Sequence, residues 1–541
     1  MNPSFIEPDD ASLLDPTDPH TDDEAIFDAG KRRWILIAMC TALVGVVASV
    51  SGLNVAQQAI AADLGASQGQ LLWVINGYTL VLAALLLPIG AIGDRWGRKP
   101  ILLSGLGVFL VSNMASAFAN SPEQLIALRV LAGVGAAMIM PVTLAVITTS
   151  FPASERARAV GVWAGFSGAG GILGLFASAA IIDNATWPWV FAVPTFLGLC
   201  ALVSGALVVP HSREHVEAGF DYSGAVLSVV AVGGIVLGIQ EGPEKGWTSF
   251  LVVAALVIGA CATVAFVKSE LRLEHPLLDL RLFRNRGLAT GTVNLIVIFG
   301  LMFVIFLVLV QLLQAVFGYT ALHAATGLLP MAVLMMPLSA VAPTLAHRFG
   351  YRHVVAAGLL LLAAGLMLLG LLVQVDRGYF SVLPGLLVLA LGVGLVMSPS
   401  TTAITASLPE DKQGVASALN DTAREIGAAV SIALFGSLLN SLYRSNVADA
   451  TSRLPFEAAE VVKGGIGGAL AVAGPLGPRG AELLHSARTA WVDSMRPTLW
   501  LAAAIAVAAA IYTGAVAIHG VDHEIAEPTP EPEPDSLVEV H

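Results

Sequence analysis

The feature that most constrains this chain is an apolar run of close to twenty residues, interrupted by a polar turn and then repeated along the sequence. A helix of about 20 residues crosses a hydrocarbon layer of roughly 30 Å. It also satisfies its own backbone donors and acceptors, as a lipid environment demands. Fourteen such runs can be read, at 34–58, 71–93, 101–119, 124–149, 158–181, 189–209, 222–240, 250–267, 288–315, 322–346, 353–375, 379–407, 413–440 and 498–519. The expected fold is therefore all-α and polytopic. Composition points the same way: 56% of residues are hydrophobic, 12% are charged, and mean hydropathy is +0.79. A globular domain carries about 25% charge.

An even number of spans puts both termini on one side. Arg32, Arg33, Arg95, Arg98, Lys99, Arg156, Lys268, Arg281, Arg348 and Arg352 fall in the turns assigned to that side. The short turns opposite hold Lys245 and Arg377. Such asymmetry predicts that the termini are cytoplasmic, in a bacterial inner membrane given the preponderance of Arg over Lys. The net charge of −12 says little about partners, because much of the acid sits in Asp/Glu/Pro-rich tails at 7–28 and 522–539, expected to be disordered. No basic stretch interleaved with aromatics suggests nucleic acid. Cys40, Cys200 and Cys261 all fall inside spans, without disulfide or metal spacing, and read as buried apolar thiols. No metal or cofactor is expected.

The chain also repeats itself. Span two ends in GAIGDRWGRK (90–99) and span ten in APTLAHRFGYRH (342–353), each placing a basic, Gly-containing turn between apolar helices. Recurrence of this kind is expected of transporters built from parallel halves. It divides the chain into an acidic tail (1–33), a six-helix bundle (34–209), an inserted two-helix linker (210–287), a second bundle (288–519, with an external loop at 441–497) and a second acidic tail (520–541).

GAIGDRWGRK closely resembles the loop signature of the major facilitator superfamily, with Gly90, Asp94, Arg95, Gly97, Arg98 and Lys99 in place. LIALRVLAGVGAA (125–137) is similar to that family's fourth-helix motif through Arg129, Gly133 and Gly135. FDYSGA (220–225) and HPLLDLRLFRNR (275–286) resemble the fourteen-helix drug:proton antiporters in particular. The resemblance implies a cavity between the halves lined by spans one, four, nine and twelve, with the inserted pair peripheral. It also implies a monomeric transporter of small amphipathic molecules driven by protons.

The residues give these expectations a physical reading. Asp94 can sit against the positive N-terminus of span thirteen near Gln413–Val415, an interaction of about 0.3–1 kcal/mol when exposed. With Arg95, Arg98 and Lys99 it would form a gate at one face; the alternative is that these residues only set orientation. Arg129, Asp421, Arg424 and Glu425 are the charges placed deep in spans, where burial is costly and function is the default hypothesis. Counted at 1.5 Å per residue from a helix start near Asp411, Asp421 and Glu425 lie roughly 15 and 21 Å inside span thirteen. They could take and release a proton, or they could form a static clamp with Arg424. The run GFSGAGGILG (165–174) lies inside a span and reads as helix packing through Gly170 and Gly174 rather than as a nucleotide loop.

The chain departs from the implied pattern in three places. Ser49 stands where helix one of such antiporters carries an Asp, Leu175 replaces a helix-five Pro, and His347 replaces the acid of the second loop copy. Ser51, Asn54 and Gln58 leave helix one with a polar, uncharged stripe, read as facing a substrate cavity. Proton-driven efflux is the leading reading; export of lipids or other endogenous amphiphiles, with different or no coupling, is the alternative.

Overall fold

A computed structural model describes residues 28–517, apart from 67, 211–219, 274–275, 410–411, 453 and 475–477. Most of both acidic tails, and the side chains of Asn54 and Gln58, therefore lie outside the described residues. Among those described, fourteen helices are long and apolar enough to span a membrane. The first six are α1 (Ala29–Ser51), α2 (Gln68–Trp96), α3 (Arg98–Ser116), α4 (Pro122–Ser150), α5 (Ala153–Ile182) and α6 (Ala192–Val208). The inserted pair is α7 (Tyr222–Lys245) and α8 (Phe250–Glu270). The second bundle holds α9 (Arg286–Gln311), α10 (Ala321–Phe349), α11 (Tyr351–Leu372), α12 (Leu383–Ala406), α13 (Gln413–Ser431) and α14 (Pro478–Val516).

The helix starts carry their own local causes. Asp28, Ser121, Asp221, Asn285 and Thr320 each cap a spanning helix by accepting from a backbone N–H of its first turn. At α4 the cap is reciprocal, since Gln124 Oε1 accepts from Asn120 N at 3.0 Å, and Pro122 occupies the first turn, where its missing N–H costs nothing.

The sequence repeat is a structural one. Gly97 (φ 101°, ψ 134°) joins α2 to α3, and Gly350 (φ 86°, ψ 136°) joins α10 to α11. A single residue makes each turn, and the positive φ is why both are glycine. The two six-helix bundles meet along α2 against α13 and α5 against α10, as expected if one half is a rotated copy of the other. These meetings are tight. A Cβ at Gly90 would lie 2.5 Å from the Gly414 carbonyl oxygen and 2.7 Å from Ala418 Cβ. One at Gly161 would lie 2.7 Å from the Ser339 carbonyl oxygen, and one at Gly168 would lie 2.8 Å from Met335 Cε.

Three expectations need correction. Among the described residues, the stretch 441–497 is largely helical, with helices at Ser437–Asn446, Phe456–Lys463 and Ile466–Ala473 before the 39-residue α14. At 1.5 Å per residue α14 is about 58 Å long, so nearly half of it projects beyond a hydrocarbon core. Its projecting turns carry too many polar residues to read as a span. They are anchored by Trp491 Nε1 donating to Gln311 Oε1 (3.1 Å) and Arg488 Nε donating to the Ala315 carbonyl (3.1 Å). The cysteines are not uniformly buried: Cys40 is, but Cys261 is exposed on the outer side of α8. The inserted pair is also less peripheral than expected. α8 turns Val253, Val257, Ile258 and Val264 outward, but α7 lies on the seam between the bundles. Val236 packs with Ala83 of α2 and Ala429 of α13, and Gln240 Nε2 donates to Thr79 Oγ1 at 3.0 Å.

Candidate functional site

The turn after α2 builds one cluster. Asp94 is buried, and its oxygens accept from the backbone N–H groups of Gly414 (2.9 Å) and Val415 (3.1 Å). These are orphan donors in the first turn of α13, so the carboxylate caps a helix of the opposite bundle, where the helix dipole favours negative charge. Arg98, also buried, donates to Asp94 through Nε (3.2 Å) and Nη2 (3.0 Å). Lys99 reaches away from the cluster and donates to the Ala206 carbonyl at the end of α6 (2.9 Å). Arg95 is half-exposed on the same turn. Gly90, one turn back, permits the close approach to Gly414 that brings Asp94 within reach.

The second cluster is deep in the first bundle. Arg129 of α4 is fully buried, and every acceptor around it is neutral. Nη1 donates to Ser49 Oγ (2.8 Å), Nη2 to the Ser49 carbonyl (3.2 Å) and Nε to the Val74 carbonyl (3.3 Å). Its guanidinium lies 4.3 Å from the centre of the Tyr78 ring. Ser49 Oγ in turn donates a hydrogen bond to Asn113 Oδ1 at 2.9 Å. The position where an acid was expected is thus the direct partner of Arg129, with a hydroxyl in place of a charge.

The third cluster is on α13. Asp421 is fully buried, and its Oδ1 accepts from Arg424 Nη1 and Asn420 Nδ2, both at 3.0 Å. Its Oδ2 is buried with no hydrogen-bond partner. Arg424 crosses to the other bundle and donates to Ser167 Oγ of α5. Its guanidinium lies over Phe299 (4.3 Å) and Trp163 (5.5 Å). Glu425 is partly buried and makes no hydrogen bond or ion pair among the described residues. It lies within Coulombic reach of Arg424, Asp421 and, in the first bundle, Tyr78. Tyr78 thus has Arg129 on its face and Glu425 nearby.

The remaining candidates divide. A Cβ at Gly174 would lie 2.6 Å from Ala48 Cα, so this glycine is required where α5 crosses α1, whereas Gly170 leaves 3.6 Å to Val44. Ser51 bonds back to the Val47 and Ala48 carbonyls beside Gly174, which places it at the α1–α5 contact. Sequence reasoning missed Trp163, Ser167 and Phe299, which surround Arg424 but carry no charge to attract notice. It also missed buried Glu241, which pairs with Lys245 at 2.8 Å just past the expected end of span seven. The Asp221 and Glu270 carboxyl groups, whose Oδ2 and Oε1 atoms meet beside Gly224 at the base of the inserted pair with no hydrogen-bond partner, were likewise not foreseen.

Two parallel helix bundles meeting on glycine seams, with charged clusters where they touch, are the architecture of a membrane transporter. The Major Facilitator Superfamily profile matches residues 37–432, and the chain belongs to that family. It is a multi-pass membrane transporter, not an enzyme. It is 36% identical to the multidrug efflux pump LfrA of Mycolicibacterium smegmatis, over 89% of this chain and 96% of that protein. It is 31% identical to the tetracenomycin C resistance and export protein of Streptomyces glaucescens, over 88% and 90% respectively. Among solved structures, its fold is similar to a bacterial homologue of the lysosomal transporter Spinster (TM-score 0.59, 14% identity, 90% of this chain and 98% of that one). It is also similar to the proton:xylose symporter XylE (TM-score 0.55, 14% identity, 90% and 96%).

Proposed function

We propose that this protein exports small amphipathic compounds by alternating access in exchange for protons, with both termini cytoplasmic. The observation that carries the coupling is the division of buried charge between the bundles. The first holds Arg129 with neutral partners only, and the second holds Asp421 and Glu425 with Arg424 alone to balance them. An isolated charge in a membrane interior is costly, so the two excesses stabilise one another only through space. Protonating Glu425 removes that attraction and biases the equilibrium between outward and inward arrangements. The capping of α13 by Asp94 supports reading this turn as a cytoplasmic gate. The names of the relatives, pumps for multiple drugs and for an antibiotic, support the substrate class.

Ser49 favours the second reading, an exporter of endogenous amphiphiles without proton coupling. Proteoliposomes separate the two. With an imposed acid interior and inside-out protein, a fluorescent amphipathic dye should accumulate, and adding the dye should raise the luminal pH. Dye transport with no proton movement would replace the first reading by the second.

A further inference from the structure

The two loop copies end differently, and the difference leaves a groove. In the first half, Leu103 fills the contact between α3 and α6, its Cδ2 lying 3.8 Å from a Cβ built at Gly205, and Lys99 bonds the end of α6. Aligning the two loop copies at Gly97 and Gly350 sets Ala356 against Leu103, Ala357 against Ser104 and Arg352 against Lys99. There α11 and α14 leave open a groove of about 390 Å³ lined by Arg352, His353, Ala356, Ala357, Leu360 and Gly514. A Cβ at Gly514 would meet nothing within 4 Å. Leu360 is half exposed on the outer surface.

We propose that this groove binds an anionic phospholipid, with one acyl chain along Ala356, Ala357, Leu360 and Gly514 and the phosphate at its basic mouth. The lining includes Arg352 and no acid, and exposed Arg348 stands four residues before it, at the end of α10. His353 orients Arg352: its Nδ1 donates to the Phe349 carbonyl (3.0 Å), leaving Nε2 to accept from Arg352 Nε (3.2 Å). Basic pockets between spanning helices at the membrane surface recognise anionic headgroups, and the apolar, outward-facing floor suits a hydrocarbon chain.

The test is lipid retention by the purified full-length protein, measured by native mass spectrometry after titration with phosphatidylglycerol or phosphatidylcholine. Two arginines near the headgroup level, Arg352 in the lining and Arg348 at the end of α10, predict a preference for phosphatidylglycerol of about thirtyfold. Arg348→Gln with Arg352→Gln, both near the surface, should erase the preference while leaving a residual, headgroup-independent occupancy. Ala356→Leu, copying the first half, should lose retention of both lipids. Equal retention of the two lipids by the wild type, or unchanged preference in the double variant, would overturn the proposal. So would phosphatidylglycerol retention that appears only when residues 522–541 are deleted, which would make the acidic tail the occupant.

Discussion

Asp94→Asn is expected to reduce efflux by at least about tenfold while the protein reaches the membrane at wild-type abundance. The carboxylate accepts two backbone N–H groups of the opposite bundle and the Arg98 guanidinium, in a buried setting. Hydrogen bonds to charged groups contribute about 1.5–3 kcal/mol each. Asparagine keeps one acceptor, loses the charge, and presents an NH2 toward groups that also donate. A net loss of roughly 2–3 kcal/mol from the closed arrangement shifts the balance of states by about thirtyfold or more. Orientation rests on Lys and Arg rather than on Asp, so insertion should be unaffected. Efflux and membrane abundance measured in the same cells decide the matter: wild-type efflux at wild-type abundance would mean that the cluster only sets orientation.

Arg424→Met should act on stability rather than on gating. It strips the one cation from Asp421, whose second oxygen is already without a partner, and breaks the bond to Ser167 across the bundles. Removing one member of a buried ion pair costs about 3–5 kcal/mol, because the other charge is left uncompensated. The methionine keeps contact with Phe299 and Trp163, so packing is largely conserved. Thermal unfolding of the purified protein should show a clear drop for the single variant. Asp421→Asn combined with Arg424→Met should recover much of that loss, since the uncompensated Asp421 charge is then gone and Glu425 is the one acid left beside the site. A single variant as stable as the wild type would show that Asp421 carries no charge in the resting protein.

How much of this was legible in the sequence depends on which residues announce themselves. The spans are legible because lipid demands long apolar helices, and their starts because capping residues flank them. The approach of Asp94 to α13 is legible because an acid in a basic turn has no topogenic purpose. The partnership of Ser49 with Arg129 is visible only as a missing acid, since a serine has no sequence signal for holding an arginine across two helices. The cradle of Trp163, Ser167 and Phe299 comes from three points on two helices and has no period to detect. The length of α14 was hidden for the opposite reason. Its outer half is polar enough to fail a hydropathy window, yet is held as helix by its contacts with the end of α9. α7 looked peripheral because nothing in its apolar sequence says which helices it covers.

The central claim is that Glu425 carries the proton response of this transporter. It is a membrane-embedded carboxyl that the described protein leaves without a hydrogen bond, and it lies within electrostatic reach of both bundles. The direct measurement is the pH profile of dye transport in proteoliposomes for wild type and Glu425→Gln, alongside dye binding by each. The account predicts that the Gln variant binds dye with near wild-type affinity but transports it at a rate flat across pH 5.5–8.5, with no accompanying proton movement. A Glu425→Gln variant with the wild-type pH profile would contradict it, and would make the Asp421–Arg424–Glu425 group a structural clamp.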